Sequence, residues 1–142
     1  MSKPPATSRR VPVFFYGLFM DADLLRGKGL DPVNVRTARV AGMRLRIGHR
    51  AALVESAGST THGVLMELTH EEIERLYDDP GVAGFRPEAV IAERADGSTV
   101  AALCYNLPAA PRADERNPEY ASKLRALATR LKLPASYIES LS

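Results

Sequence analysis

One cysteine, Cys104, is the whole thiol complement of this 142-residue chain. It permits no intrachain disulfide and no cysteine-rich metal site. Its setting in the apolar run VAALCYNL reads as a buried structural thiol rather than a nucleophile. Apolar runs long enough to span a bilayer are absent. The opening MSKPPATSRR has charge and prolines but no apolar core, so it is neither a signal peptide nor a membrane anchor. Strong charge of either sign is lacking too: the formal net charge is +2, which gives no case for nucleic acid or an anionic membrane as partner. The three histidines, His49, His62 and His70, are not at paired metal spacing, and the HEEIE that begins at His70 lacks the second histidine of the zinc helix motif. No Gly-x-Gly-x-x-Gly, no phosphate-loop Gly-Lys-Ser/Thr and no Gly-x-Ser-x-Gly elbow occurs. These absences leave a soluble, cytoplasmic protein with no metal site. Residues 1–10 read as a disordered tail and 11–142 as one domain.

What is present alternates between strand and helix patterns. VPVFFYGL (11–18) is apolar at nearly every position, as in a strand buried on both faces. MDADLLRG (20–27) reads as a short helix with an aspartate at its start and Gly27 at its end. Residues 33–56 read as two or three strands punctuated by Gly42 and Gly48. Arg36, Arg39, Arg44, Arg46 and Arg50 fall on their solvated outer faces. HGVLMEL (62–68) reads as a further strand. It runs into a helix opened by a Thr69-x-x-Glu72 capping box and closed by Pro80-Gly81. FRPEAVIAER and STVAALCYNL flank Asp96-Gly97, a hairpin signal. Asn117-Pro118 opens an amphipathic helix through Tyr120, Leu124, Leu127, Ala128 and Leu131, and a short helix follows Pro134. Adjacent strands with short turns predict an α+β fold: a curled sheet or a small, mostly antiparallel β-barrel with helices outside.

The turn at Tyr16-Gly17 is the chemically informative one. Glycine there permits a sharp bend, and the amides of Leu18, Phe19 and Met20 would stand near a helix start, where such groups can hold a carboxylate or carbonyl oxygen. Local sequence alone fits a plain turn as well.

In order and spacing, several segments resemble the γ-glutamylcyclotransferases and γ-glutamylamine cyclotransferases. Tyr16-Gly17 is similar to their Tyr-Gly-Ser/Thr signature, and HGVLMEL with LYDDPGV is similar to their GVLYEL…LD…EGV segment. FRPEAVI resembles their Tyr-Arg-rich strand, with Phe85 in the tyrosine's place. NPEYASKLRALATRLKLPASYIESL resembles their closing helices, including the Leu-Pro-x-x-Tyr step that ends at Tyr137. The resemblance implies a mixed β-barrel with peripheral helices and no metal or organic cofactor. It also implies a small γ-glutamyl compound as ligand, cyclised to 5-oxoproline with release of an amine or amino acid. Tyr16, Gly17, Leu18 and Phe19 would bind the glutamyl part and Tyr137 would line the pocket. Leu18 departs from the usual Ser or Thr. The family's acid/base is a glutamate immediately before Gly-Val, and here that place is Pro80, which carries no ionisable group. Asp79, one residue back, and Glu88, on the next strand, are the substitutes. Asp78 is a weaker third. The alternative is an inactive binding protein that keeps the pocket.

Overall fold

The computed structural model describes residues 9–142, so the predicted tail lies almost wholly outside the described residues. Arg10 belongs to the first strand rather than to a tail. Five strands, β1 (Arg10–Phe15), β2 (Val33–Ile47), β3 (Ala51–Thr69), β4 (Arg86–Arg94) and β5 (Thr99–Asn106), close into a barrel in the order β1-β3-β2-β4-β5. Neighbours are antiparallel except at the closure, where β1 lies parallel to β5 with Val13 opposite Leu103. Four helices pack outside: α1 (Ala22–Gly27), α2 (His70–Tyr77), α3 (Pro118–Arg130) and α4 (Ala135–Glu139). This is the small mixed barrel with peripheral helices that the family resemblance implies, and it decides between the curled sheet and the barrel that the strand pattern left open. No helix among the described residues is long and apolar enough to cross a membrane.

The 33–69 region differs in detail from its sequence reading. It holds two long strands rather than three or four short ones, and HGVLMEL is the second half of β3. Gly42 does not end a strand. With φ at 82° it sits in a bulge, where the β2–β3 register jumps between Ala41–Thr60 and Met43–Glu55. On β3 the Ser56 and Ser59 hydroxyls are 2.7 Å apart across the excess residues, and the Thr61 hydroxyl donates to the Met43 carbonyl at 2.8 Å. Bulges bend and twist the strands that carry them. Here the bend lets the far part of the β2–β3 hairpin, with its 48–50 tip, come over one end of the barrel.

Apolar spacing explains the packing. Val13, Phe14 and Phe15 of β1 are all at most 3% exposed, beside Val64, Leu65, Met66 and Leu68 of β3. The α3 stripe Ala121, Leu124, Leu127 and Ala128 is buried against this core, as its 3–4 residue spacing dictates. At Gly63 a side chain would collide with the Phe15 carbonyl and the Phe14 ring, so β1 and β3 touch there through bare backbone.

The capping box at α2 forms as read: the Glu72 amide donates to Thr69 Oγ1 at 3.1 Å and the Thr69 amide to Glu72 Oε1 at 2.9 Å. Glu72 does more than cap. It is 8% exposed, accepts the Asp31 amide at 2.7 Å and pairs with Arg10 at 3.4 Å, tying α2 to β1 and to the loop before β2. Burial by itself would raise its carboxyl, but the Thr69 and Asp31 amides, the Arg10 charge and the Thr69 hydroxyl outweigh it and hold the group below its ordinary 4.5. A carboxyl lowered by folding contributes stability above its unfolded value and loses it as pH falls through the folded one. We expect the denaturation midpoint to drop on acidification below about pH 4.5, and the drop to be shallower in Glu72→Gln. Equal acid slopes for the two proteins would remove Glu72 from this role.

Candidate functional site

β1 delivers Phe14, Phe15 and Tyr16 to one end of the barrel, and the chain then turns at Gly17 into a single 3₁₀ turn, Leu18–Met20. The turn's own hydrogen bonds begin with the Met20 amide to the Gly17 carbonyl at 3.0 Å and the Asp21 amide to the Leu18 carbonyl at 3.3 Å. The amides of Leu18 and Phe19 have no backbone acceptor in that turn. Gly17 is required by contact: a Cβ would lie 2.5 Å from the Tyr120 hydroxyl.

This turn forms one wall of a cavity of about 270 Å³. All four phenylalanines of the chain and four of its five tyrosines line it. That concentration singles out this end of the barrel, because aromatic rings would otherwise be shared among the core and the helix contacts. Phe15 and Phe19 meet edge to face at 6.1 Å, Phe19 and Tyr77 likewise at 6.0 Å, and Tyr77 stacks on Tyr105 at 4.0 Å. Gly81 and Val82, in the turn after α2, form part of the facing wall, and His49, Arg50 and Ala51 of the hairpin tip complete it.

The polar groups are few. Tyr16 donates from its hydroxyl to the Tyr105 carbonyl at 3.0 Å and to Asn106 Oδ1 at 3.4 Å. Burial first, then the neighbouring Cys104, Tyr77, Tyr120 and Glu88, push its phenol far above the ordinary value. Tyr77 is raised mainly by burial as well. Tyr120 is pushed up to about 12 by burial, against the pull of the Leu18 amide. All three are neutral phenols at pH 7. Tyr120 is placed by the helix start the sequence announces: Asn117 accepts the Tyr120 amide at 3.1 Å and donates from Nδ2 to the His49 carbonyl at 3.0 Å. Glu115 accepts the His49 amide at 3.0 Å and the Arg112 amide at 3.1 Å. The hairpin tip is therefore fastened from two sides.

Beneath the cavity lies Asn106, 4% exposed at the end of β5. Its Oδ1 accepts the Leu53 amide at 2.9 Å and the Leu107 amide at 3.0 Å. Its Nδ2 donates to the Leu53 carbonyl at 2.9 Å and to Glu88 Oε1 at 3.3 Å.

Of the residues expected from sequence, Tyr16, Gly17, Leu18 and Phe19 come together on the cavity wall. Tyr137 goes elsewhere. It lines a second cavity of about 310 Å³ with Arg44, Ser59 and His62, its ring edge on the His62 ring at 4.9 Å. Asp79 caps the Pro80–Val82 turn, accepting the Gly81 amide at 2.8 Å, with Lys28 Nζ 3.7 Å away. Asp79 is not on the cavity lining, although Gly81 is. Glu88 is exposed on β4, does not line the cavity, bonds to Asn106 beneath it and acts through its charge on Tyr16. Asp78 ends α2 and is exposed. No carboxylate lines the cavity among the described residues, and no group of three His, Cys, Asp or Glu side chains is placed to hold a metal ion.

Sequence reasoning missed Arg50, Tyr77, Tyr120, Phe85 and Asn106 as lining or supporting residues. Three of the five arginines assigned to solvated strand faces do make surface contacts: Arg36 donates to the Asn34 carbonyl, Arg39 pairs with Glu93 at 2.8 Å, and Arg46 reaches the Pro111 and Arg112 carbonyls. Arg50 does not fit that description. It leans across the cavity mouth, bonded to the Ala83 carbonyl and 5.2 Å above the Phe85 ring. Its nearness to the tip glycine Gly48 was the one available signal.

Truncating Asn106 strands the Leu53 amide and carbonyl and takes away one acceptor of Tyr16. For Asn106→Ala we expect a loss of about 2–4 kcal/mol, read as the shift in a urea unfolding midpoint. A loss under about 0.5 kcal/mol would mean that other groups take over those bonds.

Comparison with known proteins completes the picture. The family model described as "Gamma-glutamyl cyclotransferase, AIG2-like" matches residues 13–123. No curated protein matches the sequence. Among solved structures, a protein named gamma-glutamyl cyclotransferase superposes with a TM-score of 0.74 at 18% identity, covering 94% of this chain and 86% of that one. YkqA from Bacillus subtilis gives 0.76 at 24% identity over 96% of this chain, which spans only 54% of YkqA. An AIG2-like protein from Mus musculus gives 0.58 at 12% identity, covering 78% and 90%. At these identities the superpositions establish the barrel alone. The family match extends over most of the chain, from β1 through the first half of α3, and includes every wall of the aromatic cavity: the chain belongs to the gamma-glutamyl cyclotransferase, AIG2-like family.

Proposed function

We propose that the aromatic cavity takes a small γ-glutamyl compound and cyclises it, releasing 5-oxoproline and an amine or amino acid. The observation that carries this reading is the position of the Tyr16–Phe19 turn, the family's signature segment, on the wall of the cavity, with Gly81 and Val82 facing it. In that reaction the substrate's α-amine attacks its own γ-carbonyl carbon. The new C–N bond closes the five-membered ring, and the old amide C–N bond breaks. The attacking amine gives up a proton and the leaving nitrogen gains one, so no water is consumed and one group that both accepts and returns a proton suffices. The Phe19 amide, without an acceptor in its turn, is suited to meet the oxygen on which negative charge develops, while the Leu18 amide faces the Tyr120 hydroxyl.

Asp79 is the proton carrier in this reading. Its carboxylate is one hydrogen bond from Gly81, a residue of the cavity wall, whereas Glu88 bonds to Asn106, which is not on the lining. To act, the Asp79 carboxylate leaves the Gly81 amide and Lys28 and turns into the cavity. Tyr137 has no part in it.

A second reading, a binding protein without turnover, is favoured by one observation: Pro80 stands immediately before Gly81, and the Asp79 carboxylate is engaged with Gly81 and Lys28 outside the cavity.

One assay separates the two. Purified protein is incubated with γ-glutamyl amines and γ-glutamyl amino acids, and 5-oxoproline is measured by mass spectrometry. We expect release by the wild type and a loss of at least about 100-fold in Asp79→Asn. Asparagine keeps an oxygen that can accept the Gly81 amide, so the turn survives the change. Release by Pro80→Glu from a wild type that releases nothing would establish the second reading instead.

A further inference from the structure

The charge in the cavity is one-sided. Arg50 is the only side chain of fixed charge on its lining, and among the described residues no carboxylate lies within ion-pair distance of its guanidinium. Most arginines among the described residues lack an acid within that distance, so what sets Arg50 apart is its place, the one side chain of fixed charge on the lining of an aromatic cavity.

Arg50 is also held still. One of its terminal nitrogens donates to the Ala83 carbonyl, and its Cζ lies over the Phe85 ring, 5.2 Å from the centroid. The backbone that carries it is fastened by Glu115 at the His49 amide and by Asn117 at the His49 carbonyl. Gly48 admits this clamp, because a Cβ there would strike Pro111 and Glu115. A guanidinium has five N–H donors. One is bonded to Ala83, which leaves donors for a ligand without the entropy cost of ordering a free side chain.

The arginine is braced on the 83–85 loop, whereas the turn assigned to the glutamyl end is the separate wall at Tyr16–Phe19. A ligand whose glutamyl end sits at that turn directs its other end toward the mouth. One guanidinium matches one planar carboxylate in charge and geometry, while a phosphate dianion would keep a charge that nothing else on the lining offsets.

We propose that Arg50 is a specificity-determining residue that binds the carboxylate of the leaving half, so that the site selects γ-glutamyl amino acids over γ-glutamyl amines. This rests on the γ-glutamyl reading of the cavity but not on turnover.

The test uses two probes that differ by that carboxylate alone, γ-glutamylalanine and γ-glutamylethylamine, with wild type, Arg50→Gln and Arg50→Lys. Affinity is read as dissociation constants where nothing is turned over and as kcat/KM where it is, and 5-oxoproline is measured on the same samples. We expect the wild type to favour the acid by about tenfold, Arg50→Gln to bring the ratio close to one, and Arg50→Lys to keep part of it. A wild-type ratio near one, or a ratio unchanged in Arg50→Gln, overturns the proposal. An unchanged ratio with both probes equally weakened in Arg50→Gln and partly restored in Arg50→Lys would place the α-carboxylate, common to both probes, at Arg50. Loss of both probes in both variants overturns it too, by making Arg50 a structural brace. Selective binding of the acid without 5-oxoproline would support Arg50's role while defeating the enzymatic reading, and so the two stand or fall separately.

Discussion

The two hydrogen bonds between the Asn106 side-chain amide and the Leu53 peptide are the constraint on which the cavity depends. β1 is six residues long and ends at Phe15, while β3 runs for nineteen. Past the end of β1, β3 and β5 would face each other without a strand between them. The Asn106 amide fills that place as a peptide group would, giving its N–H to the Leu53 carbonyl and taking the Leu53 N–H. This clasp works only because the bulge around Gly42 and residues 56–59 has already bent the hairpin toward it. The space left by the missing length of β1 becomes the cavity, with the hairpin tip as its roof.

Burying an amide at such a point is costly unless each of its groups is satisfied. Asn106 meets that condition through Leu53, Leu107, Tyr16 and Glu88. The same network fixes Tyr16, whose hydroxyl also reaches the Tyr105 carbonyl, and Tyr105 in turn stacks on Tyr77. The rings that line the cavity are thus attached to the element that closes the barrel, so the shape of the site and the stability of that end are one property. Deep burial keeps the phenols protonated, and the cavity presents donors and ring faces rather than negative charge.

Features written in a few neighbouring residues could be read before the structure. The Thr69–Glu72 capping box, the Asn117 helix start and the Asp96-Gly97 hairpin all formed as read. The Tyr16–Phe19 wall was legible only through the family resemblance, since the local sequence fits a plain turn as well. Gly42 was not, because a glycine at positive φ looks alike in a turn and in a bulge, and only the paired strand tells which. Arg50, Tyr77 and Tyr120 reach the cavity from a hairpin tip, a helix end and a helix start, and no local pattern records that meeting. Tyr137 illustrates the converse. Its Leu-Pro-x-x-Tyr step announces a helix start, but where the ring points is decided by packing beside His62.

The turn after α2 ties these observations to the charge of the site. Pro80 fixes the first residue of the turn, Asp79 caps it at Gly81, and the Ala83 carbonyl at its end holds Arg50. A carboxylate carried into the cavity by this turn would compete with any ligand for the guanidinium. Pro80 brings none, and the Asp79 carboxylate is directed to the Gly81 amide and Lys28 instead. The lack of an acid before Gly81 and the lack of a partner for Arg50 are therefore two sides of one arrangement. Together they leave the mouth of an otherwise neutral, aromatic cavity positive, with the cation held in place and its remaining donors free.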